Sequence, residues 1–256
     1  MGGVVSLSKL IPIEKFYDHG DSAEAAGNPR AAEMWEGYKI VSEGKRVIVK
    51  AGDKIPLKGA DVIVVSSNGE VIAKQIKAEG PNHLCKDTQQ KEPDPTQPEN
   101  FLSVGTLLTF GKFKFLNLGD LTWDRELMLA CPANKIGSIT LFQATHHGFY
   151  NDLSGPPALV WAIKPQVVIV ENGPTKGLTT AGYETLAKIP GVEGIWQGHR
   201  AIRNDDAHNT SESMIANLRT TQDETKGNWI KASISKDGKF TVTNSRNDLS
   251  KTYTTH

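Results

Sequence analysis

Asp120 and the adjacent pair His146-His147 are the side chains of this sequence whose types and spacing could do chemistry together. Asp120 follows a short apolar run, Phe113 to Leu118, and the histidines follow the next, Ile139 to Ala144, 26 and 27 residues further on. Both runs are expected as strands, and strand ends are where α/β folds place reactive groups. A carboxylate and an imidazole at one sheet edge can share a divalent cation, the carboxylate bridging two ions while a histidine binds one. Plainer readings stand beside this one. Asp120 can cap a helix expected over Trp123 to Leu129, and one histidine can be hydrogen-bonded in the core while its neighbour meets solvent. Two histidines before a glycine at a strand end are uncommon, which favours a ligand role for the pair.

The elements that would position these groups are legible as short apolar runs between turn residues. Arg46 to Lys50, Val62 to Val65 and Val71 to Ala73 read as strands, with Asn68-Gly69 as the tight turn between the last two. Residues 81–100, rich in Pro, Gln, Lys and Asp, read as a long surface loop that buries little. Val104 to Phe110 and Phe113 to Leu118 form the next strand pair. Further on come a helix around Ala158 to Ile163, an apolar strand Val167 to Val170, a helix from Thr180 to Lys188 and a strand at Ile195-Trp196. Asn209 with Glu212 resembles a capping box for a helix carrying Met214, Ile215 and Leu218. Trp229 to Ser235 and Phe240 to Thr243 flank Asp237-Gly238 as a hairpin that would close the sheet. Strands alternating with helices predict an α/β sheet within a single domain over residues 1–256.

The chain of 256 residues has 29 Lys+Arg and 29 Asp+Glu, so no net charge argues for a nucleic acid partner. No apolar run approaches the ~20 residues needed to cross a bilayer. As written the product is expected to stay in the cytoplasm, or to be exported if a signal peptide lies upstream. Cys85 and Cys131 lack the spacing of a thiolate zinc site and read as two separate structural cysteines, with a disulfide between them an option only in an exported protein.

Phe115-Leu116-Asn117-Leu118-Gly119-Asp120-Leu121-Thr122, followed by Ala144-Thr145-His146-His147-Gly148, resembles the metallo-β-lactamase superfamily. More narrowly, it is similar to the branch that includes the hydrolase domain of bacterial DNA-uptake channels and the phosphorylcholine esterases. Glu99-Asn100 with Ser103 fits the same branch, and the order of elements agrees from Met1 to about Gln197. The resemblance implies an αββα sandwich, two β-sheets flanked by helices, with one or two Zn²⁺ ions at one edge. The implied activity is a zinc-dependent hydrolase of ester or phosphodiester type, in which Asp120 is catalytic and, with His146 and His147, holds the metal. Zinc would lower the pKa of bound water from 15.7 to about 7.

The family's main metal motif, H-x-H-x-D-H followed by a Gly-Gly pair and a helix, is absent, and Met1-Gly2-Gly3-Val4-Val5 looks like the text just after it. The expectation is therefore a sandwich without its first strands, with weak zinc binding in this chain and an exposed sheet edge prone to self-association. A second reading from another class is a fold-retaining fragment or binding domain without catalysis. Among the remaining histidines, His19 and His199 are candidates to line a small-molecule substrate pocket. His83 and His208 are expected at the surface, and His256 at a frayed end.

Overall fold

A computed structural model of the chain describes residues 3–77, 80–219 and 227–255. Fourteen strands are found among them: β1 (Phe16–Asp18), β2 (Arg46–Ile48), β3 (Lys54–Leu57), β4 (Ala60–Ser67), β5 (Glu70–Val71), β6 (Gly105–Phe110), β7 (Phe113–Asn117), β8 (Leu141–Gln143), β9 (Val167–Val170), β10 (Gly194–His199), β11 (Ile215–Asn217), β12 (Ile230–Ile234), β13 (Lys239–Asn244) and β14 (Ser250–Thr254). A large mixed sheet runs in the order β11-β10-β9-β8-β7-β6-β4-β3, with β5 paired to β4. β7 to β11 run parallel, whereas β7, β6, β4 and β3 are antiparallel neighbours. Parallel neighbours need crossovers, and the helices Trp123–Ala130, Pro157–Val160 and Thr180–Ala187 lie in those connections. The α/β class expected from the alternation of elements is thereby shown.

Alternation along each strand assigns the two faces of the sheet. Leu116, Phe142, Val168 and Val170 pack with Leu127, Leu129, Leu159 and Leu186 from the helical connections. Phe113, Leu141, Val167 and Trp196 point the other way and meet Phe240, Val242 and Tyr253 of a three-stranded antiparallel sheet, β12-β13-β14. The C-terminal hairpin therefore lies across a face of the large sheet and does not extend it, because both of its apolar positions on β13 are spent on that contact. Phe113 and Tyr253 bracket Phe240, at ring separations of 5.3 and 5.1 Å.

The N-terminal part forms a third cluster. β1 pairs with β2 in a two-stranded parallel sheet, and the helix Pro29–Ser42 covers it with Trp35 and Tyr38. Asp18 binds this unit together: it accepts from Tyr38 Oη at 2.5 Å and from Arg46 Nε at 2.6 Å. Burial alone would raise its pKa, but these donors hold the carboxyl below its usual range.

Several sequence expectations are corrected. Asn209 caps no helix: its side chain takes hydrogen bonds from Gln197 and Ala201 and gives them to Ala201 and Asp205, and a single 3₁₀ turn, Glu212–Met214, leads into β11. Ile215 and Ala216 are both fully buried, which an edge strand packed on two faces requires and an amphipathic helix does not. The segment 81–100 is the expected surface loop, with none of its residues buried, but it is locally ordered. It holds the 3₁₀ turn His83–Asp87 and a helical turn Pro98–Phe101, and Trp123 Nε1 donates to Gln89 O at 2.8 Å. Above all, Cys85 and Cys131 form a disulfide, with Cα atoms 5.8 Å apart. At Asn68-Gly69 both residues have positive φ, 50° and 79°, as the expected two-residue hairpin requires. His256 lies outside the described residues.

Candidate functional site

β7 and β8 are parallel neighbours in register, with Asn117 opposite Gln143. The chain leaves both at the same edge, so Gly119-Asp120 and the histidine turn emerge side by side. His146 N donates to Gly119 O at 3.0 Å and fixes the two loops to one another. The result is a cavity of about 370 Å³ lined by Glu99, Ser103, Asn117, Asp120, Gln143, His147 and Glu171, among others.

The histidines do not sit on a strand end in extended backbone. His146, His147, Gly148 and Phe149 all have positive φ, at 50°, 59°, 87° and 66°, a left-handed turn of four residues. Each non-glycine residue in such a conformation costs roughly 1–2 kcal/mol, so the surrounding structure must hold it. Turning about 100° per residue also sends the two rings to different places. His146 is buried at 3% exposure, and burial, with His147 and Lys176 nearby, holds its imidazole below the ordinary histidine range against the pull of Asp120. His147 faces the cavity.

Of the three residues expected to hold metal, the structure pairs Asp120 with His147: Nε2 stands 3.8 Å from Asp120 Oδ2. His147 Nδ1 lies 3.0 Å from the carbonyl oxygen of Glu171, which can only accept, so Nδ1 carries hydrogen and the Nε2 edge of the ring is turned to Asp120. An imidazole oriented by a carbonyl behind it is the usual arrangement of a metal-binding histidine. Two donors at 2.0–2.2 Å from one tetrahedral zinc stand roughly 3.3–3.5 Å apart, so the pair fits a shared cation after a shift of a few tenths of an ångström. A complete donor set is another matter. Among the described residues no group of three His, Cys, Asp or Glu side chains is placed to hold a metal ion. Asp120 is not a helix cap; Thr122 occupies that position before Trp123–Ala130.

His19 reaches the cavity indirectly, through Nε2 2.9 Å from Glu99 Oε1. Glu99 also accepts from Ala23 N and Ser22 Oγ, and these bonds hold its carboxyl below the usual range although burial opposes them. His199 is not among the cavity's lining residues; its Nδ1 meets Arg200 O at 3.0 Å. His83 is exposed, as expected, whereas His208 is half-buried and paired with Asp205 and Glu184.

Two contributors were missed by reading the sequence. Glu171, directly after β9, supplies the carbonyl that orients His147, and Gly177 closes over the back of the same turn. A Cβ on Gly177 would lie 1.9 Å from His147 O, and its φ is +81°. Leu178 N donates to that same oxygen at 3.0 Å. Gly177→Ala is therefore expected to destabilise the fold by about 2–3 kcal/mol through overpacking and backbone strain. Urea unfolding read at Trp fluorescence checks this; a midpoint equal to that of the parent chain would show that the loop yields freely. Family models and curated protein sequences offer no match to the chain.

Proposed function

We propose that the cavity at the ends of β7 and β8 is the substrate pocket of a zinc-dependent hydrolase of ester or phosphodiester type, with Asp120 and His147 as one corner of the metal site. The observation that carries the reading is the oriented pair itself, a carboxylate and the Nε2 edge of an imidazole 3.8 Å apart at the rim of one cavity. The two-sheet core with helices on one face supports the resemblance to the metallo-β-lactamase sandwich.

A metal held there would supply Lewis acidity and activate water. The chain's own residues do the rest of what can be assigned. Glu171 keeps His147 in one tautomer and orientation. Asp120 N–H donates to Ser103 Oγ at 3.3 Å, which fixes the loop that carries the carboxylate. Asn117 and Gln143, joined Nδ2 to Oε1 at 3.2 Å, form an uncharged polar floor able to hold a substrate's hydroxyl or carbonyl groups. The Cys85–Cys131 bond favours an oxidising compartment, and export is part of the proposal.

Zinc titration by calorimetry, with parallel assays of p-nitrophenyl acetate and bis(p-nitrophenyl) phosphate, tests the reading. The parent chain is expected to bind zinc saturably, and Asp120→Ala and His147→Ala each to weaken binding at least about tenfold, with His146→Ala acting mainly on stability. Equal zinc affinity in all four proteins would end the proposal. The second reading, a binding domain without catalysis, is favoured by the lack of a third donor among the described residues. It is distinguished by retained pocket binding of small molecules with no metal-dependent turnover.

A further inference from the structure

Glu126 is a fully buried carboxyl that neither the metal pair nor the pocket uses. It sits in the first turn of the helix Trp123–Ala130, beneath the left-handed histidine turn. Its Oε2 accepts from Gly155 N at 2.5 Å. The Thr145 hydroxyl faces the same carboxyl, outside strict hydrogen-bond geometry but close enough to ease its ionisation. These two contacts lie at opposite ends of the turn. Thr145 is the residue before it. Gly155 is the surface on which its last residue rests: a Cβ there would come within 2.3 Å of the Phe149 ring.

Other bonds hold the neighbouring loop without touching the turn. Trp123 N donates to Leu153 O at 2.8 Å, and Ser154 Oγ donates to Leu121 O at 2.6 Å. Three non-glycine residues in the left-handed region within one turn need restraint at entry and exit, and Glu126 is placed to supply it through the Gly155 N–H and the Thr145 hydroxyl.

From this geometry we infer that Glu126 is a positioning residue, a clamp that closes both ends of the His146–Phe149 turn and so aims His147 at Asp120. The inference rests on the proposed metal pair for its functional consequence, but not for the clamp itself. Glu126→Gln keeps an acceptor for Gly155 and the shape of the side chain; Glu126→Leu keeps the volume and removes the acceptor. Leu129→Ala, a core change on the same helix, serves as a control for lost stability alone.

Two readouts are taken on each intact variant: the ring-proton NMR shifts of His147, and zinc affinity by calorimetry. Expected are a moved His147 signal and a zinc affinity lowered about tenfold in Glu126→Leu, with both restored in Glu126→Gln and unchanged in Leu129→Ala. If Glu126→Leu leaves the His147 signal where it was, or Leu129→Ala shifts it as far, the clamp is overturned. If the signals move as expected while the parent chain binds no zinc, the clamp stands and the hydrolase proposal fails. Should Glu126→Leu not fold, a Glu126→Gln signal displaced from the parent position would overturn the clamp by itself.

Discussion

Replacing Cys85 and Cys131 with serine lowers stability by about 4 kcal/mol. The cross-link joins residues 46 apart, and closing a loop of that length removes about this much chain entropy from the unfolded state in the loop-closure model. In a chain of this size, 1 kcal/mol moves the melting temperature by roughly 2–4 °C, so a drop of roughly 8–16 °C is expected. The loss has a local side too. Asn82 Nδ2 donates to Ala130 O at 3.0 Å and Ala158 O at 2.7 Å, bonds that depend on the segment staying against the helix end. Thermal melts with and without reductant, beside the double-serine variant, check the value. Two titratable thiols in the unreduced, unfolded parent chain would contradict the bond outright.

The second large effect is in pH. Burial pushes the Glu126 carboxyl from an ordinary 4.5 up to about 8, a rise aided by the nearby Asp124 and opposed by the Gly155 N–H and the Thr145 hydroxyl. The folded state therefore keeps a proton that the unfolded chain has lost. Below pH 4.5 both states are protonated and the group contributes nothing against folding. Between 4.5 and 8 folding weakens with rising pH at up to about 1.4 kcal/mol per unit, and above 8 the loss levels off. The whole span is on the order of 5 kcal/mol. Asp18 and Glu99, whose carboxyls are held low, act with the opposite sign and only in acid. Urea midpoints at pH 5, 7 and 9 should fall steeply for the parent chain and much less for Glu126→Gln. Parallel curves for the two proteins would refute the assignment.

How far the sequence revealed this molecule depends on whether a feature is carried by neighbours in the chain or by distant partners. The run Val167 to Val170, buried on both faces, and the Asn68-Gly69 and Asp237-Gly238 turns are local, and they were legible. The short strands β3 and β14 were not. Lys54–Leu57 contains Pro56 and lies at the sheet edge, so it lacks the apolar run by which strands are recognised. The helix Pro29–Ser42 did leave a signal. Asn28 caps it, Pro29 opens it, and its buried residues Ala31, Trp35, Tyr38 and Ser42 recur at helical spacing; two of the four are small or polar, and a search for bulky apolar residues passes over them.

The site divides in the same way. Asp120 and the histidine pair could be found because their types are unusual at strand ends. Which histidine meets Asp120 depends on the hand of the turn, and the turn is held by Glu126, Glu171 and Gly177, which are remote in sequence. A buried glutamate in a helix and a glycine after a loop carry no mark of that work until the chain is folded. The pairing of the cysteines likewise goes with long-range contacts such as those of Asn82 to Ala130 and Ala158, which are invisible in residue order.

Between Cys85 and Cys131 the backbone forms a covalent ring, and the ring divides the pocket's walls. Glu99, Ser103, Asn117 and Asp120 belong to it, whereas Gln143, His147 and Glu171 stand outside. A single cut anywhere from residue 86 to residue 130 therefore opens the ring without releasing either piece, and every pocket wall left on the N-terminal piece stays tethered to the imidazole side through sulfur.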